Sequence, residues 1–149
     1  VRTDYSLSGL SESEAGNDPF TLFDRWLSDA TEESVPEYNA MTLSTVSASG
    51  YPSARIVLLR GYDERGLVFF TNYHSRKGIE LSQNPHAALT FFWPQLERQI
   101  RVEGSISFVT DQESDLYYHS RPVGSRLGAW VSQQSQPIAG REILEQGLQ

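Results

Sequence analysis

The spacing of apolar residues changes near residue 40, from a helical repeat to the alternation that is typical of strands. Before that point, Asp18-Pro19 has the form of a helix start, with Asp as the N-cap and Pro at the first helical position. The apolar side chains that follow share one helical face: Phe20, Phe23, Trp26 and Leu27. We therefore predict a helix that packs on a core through its aromatic side chains. Residues 1–17, which include a stretch rich in Ser, Gly and Glu, are predicted to form a flexible N-terminal arm.

Five strands are predicted after residue 40, from apolar or alternating runs that turn residues separate: 41–46, 53–60, 67–72, 86–93 and 99–109. The segment 61–66 begins and ends with glycine and is predicted to be a turn. A short helix over 75–83 fits between the third and fourth strands, because Ser75 can cap it and Asn84-Pro85 can end it.

The last third of the chain is predicted to be helical. Thr110-Asp111-Gln112-Glu113 has capping-box form and predicts a helix that runs through His119 and ends at Arg121-Pro122. Two further helical stretches are predicted at about 125–134 and 138–148. Strands joined by tight turns, with helices at the ends and one inserted, favour a mainly β (α+β) antiparallel barrel over a βαβ sheet. We expect residues 18–149 to form this single domain.

Composition narrows the class of protein. A chain of 149 residues can bury the core of one domain. It has no cysteine, which excludes disulfides, thiolate metal sites and a thiol nucleophile. Neither an apolar run long enough to span a membrane nor a signal-peptide pattern is present, so we expect a cytoplasmic protein without membrane association.

The formal charge of −7 is concentrated at one end of the chain. Residues 1–40 hold nine acidic and two basic residues, whereas residues 41–149 hold ten of each. Because a nucleic-acid binder needs a basic face, this distribution argues against one, while it permits a local pocket for a small anion. Eleven of the twelve basic residues are arginine, and Lys77 is the only lysine.

Ser75-Arg76-Lys77 places two cations in the first turn of the predicted helix. Cations are unfavourable there because the helix dipole already presents positive charge. A bound phosphate, held by backbone N–H groups and both side chains, would remove the conflict. The alternative is a solvated Arg–Lys pair that the helix tolerates at modest cost. We favour the phosphate site.

Tyr117, Arg121 and Ser125 form a second candidate anion site. Tyr117 and Arg121 are four residues apart and share a helical face, and Ser125 follows across the turn that contains Pro122. The alternative is a helix C-terminus that Arg121 stabilises.

Three polar residues on the predicted strands are weaker candidates for ligand binding. Arg55 and Arg60 lie five residues apart, which places them on opposite faces of a regular strand, where each could serve a different ligand group or simply be solvated. Gln99 would need hydrogen-bond partners if it faced inward, and the edge of a heteroaromatic cofactor could supply them. Ordinary strand polarity explains Gln99 equally well. The sequence shows no phosphate-binding glycine loop, no metal-ligand spacing among its histidines and no arguable catalytic triad.

Seven segments, in order and at matching spacing, resemble the pyridoxine/pyridoxamine 5'-phosphate oxidase family. They are Arg55–Arg60, Phe69–Asn72, Ser75–Lys77, Asn84-Pro85, Leu96–Gln99, Ser120–Pro122 and Gly128–Ser132 with Gln134-Ser135. The resemblance implies an FMN-binding split β-barrel and a homodimer that holds FMN between its subunits. It also implies oxidation of pyridoxine or pyridoxamine 5'-phosphate to pyridoxal 5'-phosphate, a step of vitamin B6 metabolism, with O2 as electron acceptor.

The resemblance assigns roles by motif position. It implies that FMN is contacted by Arg55, Ile56, Val57, Leu58, Phe70, Thr71, Arg76, Lys77 and Gln99, and by Gln134 and Ser135 across the dimer. It implies that the substrate phosphate is bound by Arg60, Tyr117, Arg121 and Ser125. Arg2 and Tyr5 match an arm motif that closes over bound substrate, and we expect them to position it rather than to act as acid or base.

The chain departs from the family pattern in two places. Position 60 is Arg where the family usually has Lys, which keeps the charge but changes the hydrogen-bond geometry. The family continues for several dozen residues past the position of Gln149, with a Trp that meets the flavin and an Arg-Leu-His-Asp-Arg segment at the substrate. We therefore expect the family's C-terminal segment to be absent from this chain.

Two other functions stay open. One is a flavin or deazaflavin-dependent reductase on the same barrel, which would lack the pocket of Tyr117, Arg121 and Ser125. The other is a truncated, non-catalytic protein that binds FMN or pyridoxal phosphate.

Overall fold

The computed structural model of the chain describes residues 4, 6–7 and 9–147. In these residues the helices are α1 Glu12–Ala15, α2 Pro19–Glu32, α3 Arg76–Gln83, α4 Asp111–Ser120, α5 Val123–Val131 and α6 Glu142–Gly147. The strands are β1 Ala40–Val46, β2 Pro52–Leu58, β3 Gly61–Asp63, β4 Gly66–Val68, β5 His86–Trp93 and β6 Arg98–Ser105, with one turn of 3-10 helix at Pro94–Leu96.

The strands form two sheets. One has four strands in the order β2-β1-β5-β6, and the other is the pair β3-β4. In this pair the strands run antiparallel, with Gly61 opposite Val68 and Asp63 opposite Gly66. The mixed α+β class with antiparallel pairing is confirmed, while closure of the strands into a barrel stays a prediction.

The chain divides into two compact units. The first unit comprises Arg55–Phe69, Ala88–Val102 and the described residues of Val1–Leu43. It contains the apolar core, whose buried side chains are Phe23, Ala30, Val35, Met41, Leu43, Val57, Leu59, Leu89, Phe91 and Trp93. Helix α2 joins this core through Phe23, whose ring lies edge-on to Tyr62 at 4.9 Å and tilted to Phe91 at 5.6 Å. The predicted packing of this helix on the core is therefore confirmed for Phe23, whereas Phe20, Trp26 and Leu27 are half-buried.

The second unit comprises Ser44–Ala54, Phe70–Ala87 and the described residues of Glu103–Gln149. Among the residues that the structure describes, the buried side chains of this unit are all polar: Thr45, Ser75, Lys77 and Glu80. This unit therefore buries hydrogen-bonding and charged groups where the first buries hydrocarbon.

The starts of α2, α3 and α4 were predicted correctly because each has a local cap. Asp18 accepts hydrogen bonds from the backbone N–H groups of Phe20 and Thr21 at the start of α2. Thr110 and Glu113 form the predicted capping box of α4. Ser75 and Asn84 cap α3 at its two ends, and β5 matches the predicted strand.

The prediction of a turn over 61–66 was wrong in extent. Only Glu64 and Arg65 form the turn, and the flanking residues pair as β3 and β4. Asp63 fixes this tight hairpin, because its carboxylate accepts hydrogen bonds from both the backbone N–H and the guanidinium of Arg65. Gly66, with φ of 141°, takes a backbone conformation that other residues rarely adopt.

Two strands end earlier than predicted. The strand predicted over 53–60 ends at Leu58, after which the N–H of Leu59 bonds to Asn39 and that of Arg60 to Val68. The strand predicted over 67–72 ends at Val68, because the following residues turn into α3.

The remaining boundaries also differ between the prediction and the structure. Strand β6 spans Arg98–Ser105 rather than 99–109, and the N–H of Ile106 bonds instead to Pro85. The last two helices, α5 and α6, are both shorter than predicted. Helix α5 begins two residues before 125 and ends at Val131, and α6 lies within 138–148. The predicted arm contains the single helical turn α1, which a capping box of Ser11 and Glu14 stabilises. Its flexibility stays a prediction.

Candidate functional site

The start of helix α3 is built by Ser75 and Gly78. Ser75 is fully buried; its hydroxyl donates to the carbonyl of Asn72 at 2.6 Å and accepts from the N–H of Gly78 at 3.4 Å. A side chain at Gly78 would begin 2.2 Å from the carbonyl oxygen of Tyr73, so only glycine fits without moving the backbone. The chain therefore enters this helix in one fixed arrangement.

Lys77 is buried in the first turn of α3, with 9% of its surface exposed. Its ammonium donates to Gln134 Oε1 at 3.1 Å and lies 3.4 Å from the Ser75 hydroxyl. The hydroxyl of Thr71 also donates to Gln134 Oε1, at 3.5 Å. Three residues that the sequence assigns to one cofactor, Thr71, Lys77 and Gln134, thus meet in the second unit, although Gln134 is 57 residues from Lys77. The alternative of a solvated Arg–Lys pair is wrong for Lys77.

Arg76 has different surroundings from Lys77. Its side chain is 63% exposed, and its Nε donates to Glu80 Oε1 at 2.8 Å, one helical turn away. Because Glu80 is negative, this ion pair offsets part of the conflict between Arg76 and the helix dipole. Arg76 is therefore largely solvated, as the alternative predicts, but it also forms an ion pair with Glu80.

A cleft of about 780 Å³ lies in the same unit. It is lined by Asn72, His74, Tyr118, Ala129, Trp130, Ser132, Gln133, Gln134 and Gln136. Gln134 belongs both to this lining and to the hydrogen bonds with Lys77 and Thr71. The buried ammonium is therefore one side chain away from an open cleft that is large enough for a planar heterocycle.

Most of these lining residues were missed by sequence reasoning. Trp130 lies in the tract 129–136 and is 82% exposed, which nothing in the sequence indicates. Asn72 and His74 precede α3, where the side chain of Asn72 accepts a hydrogen bond from the His74 N–H. That Asx turn is the one local signal that could have placed them at the edge of the site.

Of the second predicted anion site, Tyr117 has the clearest contact. Its ring stacks on that of Phe70, with centroids 3.8 Å apart and planes 4° from parallel. Arg121 is half-buried at the C-terminus of α4, and Ser125 is exposed at the start of α5. The convergence of the three side chains on one phosphate stays a prediction.

Of the other predicted site residues, Arg55, Ile56, Val57, Leu58, Arg60 and Gln99 lie in the first unit, Ser135 lies in the second, and two lie outside the described residues. Arg55 is half-buried and donates to the carbonyl of Leu43 at 3.2 Å, so it is not simply solvated. Strand β2 ends before Arg60, which is exposed. Along β2, Val57 is buried while Ile56 and Leu58 are exposed, and Gln99 is exposed on β6.

Ser135 has a φ of 67° and follows Gln134 in an exposed turn. Arg2 and Tyr5 lie outside the described residues.

Three carboxyl groups outside this site have a lowered pKa. Hydrogen bonds lower the pKa of Glu14 through Ser11, of Asp18 through Thr21 and of Asp63 through Arg65. Over the described range, no cluster of His, Cys, Asp or Glu could hold a metal ion. No helix in that range is both long and apolar enough to cross a membrane.

Solved structures show which fold this is. PhzG from Burkholderia lata 383, in complex with tetrahydrophenazine-1-carboxylic acid, matches with a TM-score of 0.90 and 29% identity, over 97% of this chain and 72% of that one. A pyridoxamine 5'-phosphate oxidase-related, FMN binding protein from Nostoc punctiforme matches with a TM-score of 0.67 and 22% identity, over 87% of this chain and 71% of that one. The chain has the fold of pyridoxamine 5'-phosphate oxidase-related proteins.

Sequence comparisons identify the family. The family model described as pyridoxamine 5'-phosphate oxidase matches residues 27–148. A pyridoxine/pyridoxamine 5'-phosphate oxidase from Cupriavidus pinatubonensis is 58% identical over 98% of this chain and 69% of its own length. One from Pseudomonas paraeruginosa is 60% identical over 99% of this chain and 70% of its own length. The chain belongs to the pyridoxamine 5'-phosphate oxidase family, and this membership supports a flavin cofactor and a small-molecule substrate.

Proposed function

We propose that this chain binds FMN and oxidises pyridoxine 5'-phosphate or pyridoxamine 5'-phosphate to pyridoxal 5'-phosphate, with O2 as electron acceptor. The observation that carries the proposal is the buried ammonium of Lys77, held at a helix start and bonded to a glutamine that lines a cleft. The relatives that are 56–60% identical are named for this reaction.

The residues at the start of α3 fit the phosphate of such a cofactor. Burying an ammonium is costly unless an anion or several acceptors compensate it. Here Lys77 and the helix dipole add positive potential at one point, and the exposed guanidinium of Arg76, although paired with Glu80, adds further N–H donors. A phosphate that carries two negative charges would match them. Thr71, Gln134 and Ser135 would then lie beside the rest of the flavin nucleotide, and Phe70 nearby.

FMN, when bound, would supply the two-electron acceptor for the oxidation. The protein's own contribution is to bind, orient and exclude water. We propose that Tyr117, Arg121 and Ser125 bind the substrate phosphate, and that none of them acts as an obligatory acid or base. Arg60 is a further proposed phosphate ligand, and Arg2 and Tyr5 are proposed to position the substrate.

Several finer parts of the proposal rest on the family alone. The cofactor roles of Arg55, Ile56, Val57, Leu58 and Gln99 stay predictions. So do the homodimer, which size-exclusion chromatography with light scattering would test, and the cytoplasmic location.

The test is reconstitution of the purified chain with FMN. We expect a yellow protein that forms pyridoxal 5'-phosphate and one equivalent of peroxide from either substrate, both followed by absorbance. Yellow protein that yields no peroxide would favour the non-catalytic binding protein. Protein that retains no flavin would contradict the proposal.

A second function is favoured by the likeness to PhzG, whose structure matches with a TM-score of 0.90. On this alternative the same fold would oxidise a reduced tricyclic carboxylate instead of a phosphorylated pyridine. Turnover separates the two: peroxide formed from a reduced tricyclic carboxylate, but not from pyridoxine or pyridoxamine 5'-phosphate, would favour this alternative.

A further inference from the structure

Glu80 is a charged residue in the middle of a short helix, and such a position is usually exposed. In this structure only 4% of Glu80 is exposed. Its Oε2 accepts hydrogen bonds from Thr45 at 2.5 Å and from Ser53 at 2.6 Å. A buried carboxylate is costly unless donors compensate it. The two hydroxyls, supplied by β1 and β2, therefore hold this carboxylate in a fixed position.

The second oxygen of Glu80 acts on the start of the same helix. Oε1 accepts from Arg76 Nε at 2.8 Å, in an ion pair that joins a carboxylate side chain 5% exposed to a guanidinium side chain 63% exposed. Because its two hydroxyl donors fix the buried carboxylate of Glu80, this ion pair restricts the rotamers of Arg76.

We propose that Glu80 is a positioning residue for phosphate recognition, which acts by fixing the guanidinium of Arg76 where the flavin phosphate binds. The inference rests on the proposed function, because it needs a phosphate at the start of α3. Glu80 has two opposing effects on phosphate binding. Its negative charge repels the phosphate, whereas its ion pair with Arg76 orders that side chain in advance and so lowers the entropy cost of binding. The hydroxyl donors and Arg76 already compensate the charge, so we expect the ordering effect to decide the sign.

The experiment compares FMN with riboflavin, which has the same ring system and no phosphate. Dissociation constants are measured by flavin fluorescence for the native chain, E80Q, R76A and the double variant. We expect E80Q to weaken FMN about fivefold, the size expected for one newly mobile side chain, and to leave riboflavin unchanged. In the R76A background, E80Q should have no further effect on FMN.

A matched control is available in the same unit. Arg141 and Glu145 form an ion pair of the same spacing, 2.9 Å long, with both side chains exposed. E145Q should leave the preference for FMN over riboflavin unchanged. A general loss of helix stability in E80Q would instead weaken both flavins alike, and that outcome would overturn the proposal.

The remaining outcomes separate this inference from the proposed function. If the native chain binds FMN no more tightly than riboflavin, there is no phosphate site and both are wrong. If the native chain prefers FMN and E80Q keeps the full preference, or binds FMN more tightly, only the role of Glu80 is wrong. Should E80Q fail to fold, S53A removes one donor and keeps the carboxylate. It should reduce the preference for FMN about twofold, and an unchanged preference would overturn the proposal.

Discussion

The ring of Tyr117 lies flat against the ring of Phe70, with the two centroids 3.8 Å apart. The first residue is proposed to bind the substrate phosphate and the second to contact the cofactor. The stack therefore connects the segment that precedes α3 with helix α4, and on the proposed function the two ligands would meet there.

The first prediction separates the hydroxyl of Tyr117 from its ring. Tyr117→Phe keeps the stack on Phe70 and should raise the KM for pyridoxine 5'-phosphate without changing the Kd for FMN. Tyr117→Ala removes the stack as well and should weaken FMN by about two- to tenfold, the range expected for one aromatic pair. Steady-state kinetics and flavin titration check both. Equal behaviour of the two variants would show that the stack does not support the cofactor.

Lys77→Met is the second prediction, since it removes the buried ammonium and keeps most of the volume. Loss of a charge-assisted hydrogen bond costs about 1.5–3 kcal/mol, so FMN should bind about 10- to 100-fold more weakly. Riboflavin, which lacks the phosphate, should be affected far less. Arg141→Met removes an exposed cation from the same unit and serves as the control. Undiminished FMN retention in Lys77→Met would refute the phosphate role.

The third prediction tests the division into two anion sites. Arg121→Ala should raise the KM for the substrate about tenfold or more, because a charge-assisted contact with its phosphate is lost. The Kd for FMN should change much less. Substrate kinetics and flavin titration on one preparation give both values, and an equal loss of substrate and FMN affinity would contradict separate sites.

The fourth prediction concerns stability at high pH. The hydroxyl of Tyr62 donates to Asp24 Oδ1, and this bond, with burial and the Asp24 charge, raises the pKa of Tyr62 above its ordinary value of about 10. The folded state thus holds this proton more tightly than the unfolded state. The stabilisation is fully present below pH 10 or so and is lost as the pH rises through the folded-state pKa.

Urea unfolding of the native chain and of Tyr62→Phe at pH 8 and at higher pH measures this effect. The native chain should be the more stable at pH 8, and the difference should shrink above pH 10. The comparison cancels the titration of the other tyrosines. A difference that stays constant with pH would show that the bond to Asp24 does not depend on the phenol proton.

Local signals carried most of what could be predicted. The side chains of Asp18, Ser75 and Thr110 accept hydrogen bonds from backbone N–H groups no more than three residues later. A short window of sequence therefore contains each capping interaction. The strand His86–Trp93 was also predicted from a local signal, its run of apolar residues. The hairpin β3-β4 was missed because its strands have only three residues each, too few for an alternation to show.

The parts of the site that could not be predicted depend on contacts distant in sequence. A glutamate in a short helix is expected to be exposed. Thr45 and Ser53, which donate to the buried carboxylate of Glu80, lie 35 and 27 residues away in the sequence. The bond from Lys77 to Gln134 spans 57 residues. The family motifs placed both residues at one cofactor, although spacing alone does not bring them together.

The polar interior of the second unit has a consequence for how that part of the chain behaves without ligand. Among its described residues, what is shielded from water is a lysine, a glutamate and two hydroxyls, so water that enters during a local opening meets groups it can solvate. Such openings should be frequent in the apoprotein and should become rare once a dianion neutralises the cations. Bound flavin would then complete the interior of this unit after the chain has been synthesised. When flavin is scarce, proteases should cut this unit first.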